Sequence, residues 1–189
     1  MKLIGTVGRI GSGKDTIINY LHRRCGFPVY SLGDMVRDLV AEEQQETTRE
    51  NLQETAQRLI EIHGDDFFVR QLIGKLEEDA PDAAGISGIR KPHDAKTFKE
   101  QYASNFILAH VRVKDPETRF MRLRQRKDPR DPEEFEDFLI QDQREEDIFQ
   151  IGETLAMADE VLSNDGSIED LHQQIEEKII SPYLAIICS

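Results

Sequence analysis

The chain has 189 residues, of which 38% are hydrophobic and 32% charged, and its formal net charge at pH 7 is -13. This composition, without runs of Gly, Ser or Pro, excludes a disordered or fibrous protein and predicts a single domain over residues 1–189. A surface this acidic repels nucleic-acid polymers, whereas a small anion needs only one local basic pocket. No apolar stretch approaches membrane-spanning length, and the predicted location is the cytoplasm.

The first part of the chain alternates between strand and helix patterns. Lys2 to Val7 predicts a strand, a glycine-rich loop follows, and Thr16 to Arg24 has apolar residues at helical spacing. Pro28 to Leu32 predicts a second strand. Three predicted helices follow, one of them capped by Thr48 and ended by Gly64: Asp34–Glu46, Thr48–Ile62 and Asp65–Glu78.

The alternation continues to the end of the chain. The further predicted strands are Ala83–Ile89, Phe106–Val113 and Asp159–Leu162. The further predicted helices are Pro92–Tyr102, Pro116–Arg126, Glu133–Phe149, a short one near Thr154, and Ser167–Ile180. This order predicts an α/β fold with about five parallel strands, helices on both faces and right-handed crossovers. The apolar tail after residue 182 is expected either on the core or on a sheet edge.

The segment between the first strand and the first helix carries the strongest motif. Residues 8–14 follow the pattern of glycine, four residues, glycine and lysine that defines a phosphate-binding loop. Its backbone N–H groups surround phosphate oxygens, the helix N-terminus adds partial positive charge, and Lys14 neutralises the outer phosphates. The loop therefore predicts ATP binding, and the residues predicted to bind ATP are Gly8, Gly11, Ser12, Gly13, Lys14, Asp15 and Thr16.

The residue after Lys14 bears on metal binding. A Ser or Thr hydroxyl usually contacts magnesium at that position, but here Asp15 occupies it and Thr16 follows. A carboxylate binds Mg²⁺ directly or through water, although it also repels the phosphate oxygens. We therefore predict Mg²⁺ as a cofactor and Asp15 as its contact.

Charged residues follow the second and third predicted strands. Asp34 and Arg37 lie one helical turn apart, and Arg90 comes directly after the third strand. Because ligands bind at the carboxyl edge of an open parallel sheet, we expect these residues to face the loop. Asp34 would orient or deprotonate an acceptor, and Arg37 and Arg90 would hold its phosphate. The alternative for Asp34 is a helix cap, a role that can coexist with the first.

A basic cluster interrupts the acidic sequence between residues 119 and 130. Prolines at 129 and 132 predict a loop that closes as a lid, in which Arg126 and Arg130 would contact the transferring phosphate. For Arg119 and Arg122, a solvated helix face paired with nearby glutamates is at least an equal interpretation. Cys25 and Cys188 sit singly and share no metal-ligand spacing with the histidines, so we expect packing or surface positions for them.

Taken in order, these motifs resemble the nucleoside-monophosphate-kinase-like P-loop proteins, and among them the dephospho-CoA-kinase-like or adenylate-kinase-related proteins. The likeness covers nearly the whole chain and rests on residues 8–16, 31–37, 88–90, 116–120, 142–145, 151–153 and 164–167. It implies a three-layer P-loop NTPase fold with an acceptor-binding helical part at about 34–80 and a lid at about 126–144. It also implies that Lys14, Asp34, Arg126 and Arg144 are catalytic, and that residues 164–167 border the adenine.

The leading hypothesis is an ATP-dependent phosphotransferase of the nucleoside or deoxynucleoside monophosphate kinase type, with a nucleotide-like phosphate acceptor. A dephospho-CoA-kinase-like enzyme has the same layout with a hydroxyl acceptor, for which Asp34 would serve as a base. The third alternative is a nucleotide-binding regulatory NTPase without an acceptor. It is favoured by Asp15 and by Ser87, which stands where the family usually has an acidic residue. The oligomeric state stays open.

Overall fold

The computed structural model describes residues 1–129 and 131–188, without the side chains of residues 49 and 50. Its sheet has the strand order β2-β3-β1-β4-β5, and every neighbouring pair is parallel. β1, which leads into the glycine-rich loop, is therefore the central strand. The strands are Lys2–Val7 (β1), Val29–Ser31 (β2), Ala83–Ser87 (β3), Phe106–Arg112 (β4) and Glu160–Ser163 (β5).

Helices connect successive strands. Their bounds are Lys14–Cys25 (α1), Leu32–Glu42 (α2), Arg49–His63 (α3), Phe67–Asp79 (α4), Pro92–Tyr102 (α5), Pro116–Arg126 (α6), Phe135–Phe149 (α7), Ile151–Ala156 (α8) and Ile168–Ile175 (α9). A 3-10 turn at Ala103–Asn105 precedes β4, and a π-helical segment at Glu176–Leu184 continues α9. Within the described residues, no helix is long and apolar enough to cross a membrane.

The two faces of the sheet bury separate apolar clusters. Successive side chains of a strand point to opposite faces, so Leu3 of β1 packs into the cluster under α2, α4 and α5, whereas Ile4 packs under α1 and α9. All of these side chains are almost fully buried. Helical layers on both sides of a parallel sheet confirm the predicted three-layer α/β fold.

Several helix boundaries are set by local signals that the sequence predicts. Thr48 accepts a hydrogen bond from the Asn51 N–H at 3.1 Å and caps α3, which ends at Gly64. α2 starts earlier than predicted because Ser31, and not Asp34, is its N-cap. The Ser31 hydroxyl accepts from the Asp34 N–H at 3.2 Å, which places Asp34 in the first turn. The predicted cap role of Asp34 is therefore wrong.

The segments predicted to serve the acceptor and the lid lie in distinct places. α2, α3 and α4 all fall between β2 and β3 and pack on one another. The lid range begins at the end of α6 and continues into α7. Arg130 lies outside the described residues. The acceptor-binding and closing roles of these segments stay predictions.

The C-terminal tail packs on the core. Leu184 and Cys188 are buried in the cluster that contains Ile17 and Leu21 of α1. Cys188 forms a disulfide with Cys25 at the end of α1, across a sequence separation of 163 residues. The prediction that the two cysteines sit singly is therefore wrong. Sequence spacing carried no signal for the pair, because folding of the tail against α1 brings the two thiols together.

Candidate functional site

The phosphate-binding loop is packed so tightly that its glycines are required. A Cβ atom on Gly11 would lie 2.5 Å from the backbone oxygen of Arg119, and one on Gly13 would lie 2.5 Å from the side-chain nitrogen of Asn164. Both glycines also have positive φ angles, of 74° and 92°, a conformation that glycine adopts at little cost. The loop therefore rests directly on α6 and on the residue after β5.

Asn164 fixes the loop to the rest of the sheet. Its side-chain amide donates to the Ser12 carbonyl at 2.9 Å, and its backbone N–H donates to the Arg112 carbonyl at 2.8 Å. The Arg122 guanidinium in turn donates to the Asn164 carbonyl at 2.8 Å. Because Asn164 is buried, it holds the loop, the end of β4 and α6 in one arrangement.

Lys14 begins α1, and its ammonium folds back over the loop. It donates to the carbonyl oxygens of Gly8 and Arg9 at 2.7 and 3.0 Å. Burial, together with the nearby charges of Arg90 and Arg126, lowers the pKa of Lys14 to about 8, although Glu145 and Asp15 act in the opposite direction. Cations from α1, from the end of β3 and from the end of α6 therefore lie close enough to interact at the mouth of the loop.

Helix α7 is tied to the loop by a buried ion-pair network. The Arg119 guanidinium makes two bonds to the Asp142 carboxylate, at 2.6 and 2.8 Å, and a third to the Ile10 carbonyl at 3.1 Å. Arg9 of the loop pairs with Asp142 at 3.4 Å and with Glu146 at 2.8 Å. Arg119 is only 4% exposed, so its interpretation as a solvated face is wrong.

The pairing of these residues was missed by sequence reasoning, although Arg119 was considered as an anion-binding residue. Arg9 was noted only as part of the loop, and Asp142 only as part of a family motif. Arg119 and Asp142 are 23 residues apart on different helices, so helical periodicity does not relate them. The one available signal is the run of carboxylates on α7 opposite a basic α6.

Arg90 lies after β3, at the carboxyl edge of the sheet. It forms an ion pair with Glu145 of α7 at 3.2 Å, and its guanidinium lies 5.2 Å from the ring centre of Phe149. The Arg90 carbonyl accepts a hydrogen bond from the Thr154 hydroxyl at 2.6 Å. Its charge also lowers the pKa of Lys14, so Arg90 and the loop share one electrostatic environment.

Asp34 and Arg37 form an ion pair with each other one helical turn apart on α2. Their side chains are 59% and 40% exposed. The start of α2 touches the turn after β3, since a Cβ atom on Gly88 would lie 3.2 Å from the Gly33 nitrogen. The pair therefore lies at the same sheet edge as Arg90. Among the described residues, it makes no ion pair or hydrogen bond with Lys14 or Arg90.

The predicted lid arginines have different surroundings. Arg126 makes two bonds to Asp131, at 2.9 and 2.6 Å, which raise the pKa of Arg126. Arg144 is exposed on α7 and lies two residues, or about 200° around the helix, after Asp142. α7 therefore turns carboxylates towards the loop in this conformation and Arg144 away from it. The predicted contact of Arg144 with phosphate requires α7 to move.

The start of α1 offers oxygen ligands for a metal ion. The Asp15 carboxylate acts on the pKa of Lys14, and the Thr16 hydroxyl lies in the same first turn. Mg²⁺ retains several waters and takes most other ligands from substrate phosphates, so one or two protein oxygens are enough. The residues therefore fit a Mg²⁺ ion that arrives with a triphosphate. Asp15 as its contact stays a prediction.

A glycine-rich loop between the central strand and a helix, with an inward lysine and a 2-3-1-4-5 parallel sheet, defines a P-loop protein with a kinase-like fold. Residues 7–138 match the family model of the AAA domain. The chain is 34% identical over 172 residues to a UPF0200 protein of Staphylothermus marinus, covering 90% of this chain and 87% of the relative. The chain belongs to the AAA-domain family of P-loop proteins and to the same family as this UPF0200 protein.

Two further comparisons agree with this assignment. A UPF0200 protein of Thermococcus gammatolerans is 34% identical over 184 residues, covering 94% of this chain and 95% of the relative. The crystal structure of shikimate kinase from Bacteroides thetaiotaomicron superposes with a TM-score of 0.57 at 18% identity, covering 93% of this chain and 97% of that one. This likeness shows the fold alone, and the kinase-like P-loop resemblance predicted from the sequence is confirmed.

Proposed function

We propose that the protein is an ATP-dependent phosphotransferase of the nucleoside or deoxynucleoside monophosphate kinase type. The observation that carries the proposal is that the charges of Arg90 and Arg126, which belong to two other parts of the fold, act on Lys14 of the phosphate loop. One lysine suffices to hold a triphosphate. Additional arginines are expected where a phosphoryl group is transferred, because they stabilise the charge that spreads over its oxygens.

The donor side of this proposal is the loop itself. Its backbone N–H groups and the N-terminus of α1 would hold the β- and γ-phosphates, and Lys14 would exchange its two carbonyl partners for phosphate oxygens. Asp15 and Thr16 would hold Mg²⁺, which screens the phosphate charge when bound. Arg126 would release Asp131 to reach the transferring group as the lid closes.

The acceptor side is the neighbouring sheet edge. Arg90, together with Arg37 and Arg130, would hold the phosphate of a nucleotide-like acceptor, and Asp34 would orient it. An oxygen of that phosphate attacks the γ-phosphorus of ATP, the bond to the bridging oxygen breaks, and ADP leaves. The attacking phosphate is already ionised at neutral pH and needs no general base. This step requires Arg90 and Arg37 to exchange their present carboxylate partners for the acceptor.

The fold of the comparison structures supports a kinase. A shikimate kinase shares the architecture over almost its whole length, and P-loop folds of this kind present the donor and acceptor at one edge of the sheet. The relatives named UPF0200 proteins add no substrate. The acceptor class is therefore proposed from the arginines of this chain.

A second candidate is a regulatory NTPase without an acceptor. The observation that favours it is the tie between α7 and the site, in which Arg9 and Arg90 hold Glu146 and Glu145. Phosphates that bind to these arginines would compete with the carboxylates and move α7. The bound nucleotide would then determine the position of α7 and the surface that α7 presents to a partner, as in switch proteins.

One experiment separates these functions. Purified protein is mixed with ATP, Mg²⁺ and a panel of nucleoside monophosphates, deoxynucleoside monophosphates and dephospho-CoA, and ADP and phosphorylated products are quantified by chromatography. A diphosphate that forms with ADP in equal amounts is the expected result, and Lys14→Ala should abolish it. Phosphorylated dephospho-CoA would name the alternative acceptor. ADP released at the same rate without any acceptor would overturn the kinase and support the regulatory NTPase.

A further inference from the structure

A second polar cavity lies behind the phosphate loop. It has a volume of about 230 Å³ and lies between the outer side of the loop, the end of β4 and α8. The loop glycines and Lys14 do not line it, so it is separate from the phosphate cradle. Its polar lining consists of Arg9, Ser12, His110, Arg112, Lys114 and Arg119.

The charge of this lining is entirely basic. Four of the side chains are arginines or lysine and the fifth ionisable one is His110, whereas no carboxylate is among the described lining residues. In a chain with a formal net charge of -13, five basic groups around one cavity need anionic partners. Two of these groups already have carboxylate partners on α7: Arg9 pairs with Asp142 and Glu146, and Arg119 pairs with Asp142.

The other cations have one carboxylate nearby. The pKa of Asp165 is lowered first by the hydrogen bond that it accepts from the Lys114 backbone N–H at 2.9 Å, and to a smaller extent by the Ser163 hydroxyl and the charges of Lys114 and Arg112. No side-chain hydrogen bond or ion pair of Arg112 or Lys114 is present among the described residues. Their charges therefore remain available for a ligand in the cavity.

Two buried polar atoms at the cavity have no hydrogen-bond partner among the described residues. The Ser12 hydroxyl and the Arg119 Nε are both without a hydrogen bond, although Ser12 is 1% and Arg119 4% exposed. Buried donors are normally paired with protein or ordered solvent, so each unpaired one calls for a physical explanation. A bound oxyanion would accept from both. Burial, then Arg112 and Arg9, lower the pKa of His110, a shift that a bound anion would reverse.

We propose that this cavity binds a small phosphate-class anion, either inorganic phosphate or the phosphate end of a small monoester. The volume of about 230 Å³ admits a phosphate group and lies below the range of about 300 to 1,000 Å³ that is typical of sites for larger ligands. The anion would be held by His110 and Arg112 of β4, by Lys114 two residues after β4, and by the Ser12 hydroxyl of the loop. Because Ser12 and Arg9 belong to the loop, the bound anion supports the loop from behind.

The test measures binding without any catalytic readout. Inorganic phosphate is titrated calorimetrically into wild type, into Lys14→Ala, and into Arg112→Gln combined with Lys114→Gln. The expected result is that Lys14→Ala still binds phosphate, whereas the double variant binds at least tenfold more weakly and keeps its affinity for ATP. A matched control, Arg23→Gln with Lys75→Gln, makes the same change of net charge at exposed positions and should bind phosphate as wild type does.

Two further measurements complete the test. Methyl phosphate and inorganic phosphate are compared, since equal affinity identifies a monoester end as the ligand and exclusive binding of inorganic phosphate identifies the free ion. The imidazole proton signal of His110, assigned with His110→Gln, should shift towards the protonated position when phosphate is added. Phosphate binding that is lost in Lys14→Ala and unchanged in the double variant would overturn the proposal. Absence of binding at millimolar phosphate, or equal weakening in the control, would also overturn it. None of these results depends on kinase activity.

Discussion

Two arginine–carboxylate pairs near the phosphate loop differ in burial and in partners. The side chains of Arg119 and Asp142 are 5% and 11% exposed and bond to each other twice, and Arg119 also donates to the loop carbonyl of Ile10. The side chains of Arg37 and Asp34 are 40% and 59% exposed and bond only to each other among the described residues. The donor side of the site is therefore built into the core. The acceptor side is a surface pair that a ligand can separate at little cost.

The largest predicted effect is on the buried pair. Asp142→Asn keeps the shape of the side chain but leaves the Arg119 charge buried without a counter-charge. We expect the free energy of unfolding to fall by about 3 to 5 kcal/mol, as for other broken buried ion pairs. Urea denaturation measures it. The double change Arg119→Met with Asp142→Leu removes both charges and should recover most of the loss. If Asp142→Asn lowers the free energy of unfolding by less than about 1 kcal/mol, the Arg119–Asp142 pair contributes no more than an exposed ion pair does, and the prediction is wrong.

The next effect concerns the far end of the helix that carries the loop. α1 runs from Lys14 to Cys25, and the disulfide from Cys25 to Cys188 fixes its end to the tail. Removal of this cross-link by Cys188→Ser should lower the free energy of unfolding by about 2 to 4 kcal/mol. Wild type in reductant should show the same loss, and Cys188→Ser should not respond to reductant. Two reactive thiols in denatured, unreduced wild type would show that the bond is absent.

The charge of Lys14 predicts a pH dependence for ATP binding. Its pKa of about 8 means that the ammonium is charged below this pH and loses its proton above it. The terminal phosphate is already ionised there, so ATP affinity should fall above pH 8 by up to about tenfold per pH unit. Arg90→Gln should raise the pH at which ATP affinity begins to fall, because the Arg90 charge lowers the pKa of Lys14. Glu145→Gln should lower that pH, because the Glu145 charge raises the pKa of Lys14. An ATP affinity that does not change between pH 7 and pH 9.5 would contradict the lowered pKa of Lys14.

The smallest predicted stability effect is on the exposed pair. Asp34→Asn should change the free energy of unfolding by less than about 1 kcal/mol, because both partners remain solvated. ATP affinity should also stay unchanged, whereas the acceptor-dependent rate should fall. Thermal unfolding and acceptor titrations measure the two quantities separately. A stability loss as large as that of Asp142→Asn would show that the acceptor side is as rigid as the donor side.

Several features that depend on local sequence were predicted correctly, whereas contacts between distant residues were not. The phosphate loop, the alternation of strands and helices and the capped start of α3 follow from local patterns, because each is signalled by residues that are close together in the sequence. The Arg119–Asp142 pair and the Cys25–Cys188 bond join residues that only the complete fold brings together. Helical periodicity placed Arg119 on a basic face but carried no information on which face of α6 would be covered by α7.

The orientation of α7 was also beyond local patterns. The family likeness assigned Arg144 to phosphate, yet the side chains of α7 that pair with Arg9 of the loop are Asp142 and Glu146, and Glu145 pairs with Arg90. The face of α7 that lies against the loop is the one that carries Phe138, which packs with Ile10 of the loop. That apolar contact is long-range and determines where the neighbouring carboxylates lie.

The most direct test of the donor site is a calorimetric titration of ATP with Mg²⁺ in the absence of any acceptor. The preformed loop predicts one-site binding by wild type, and Lys14→Ala should abolish it because the outer phosphates lose their neutralising charge. Arg37→Gln, on the exposed pair, serves as the control and should bind ATP as wild type does. Equal ATP affinity in wild type and Lys14→Ala would contradict the donor site on which the proposed function rests.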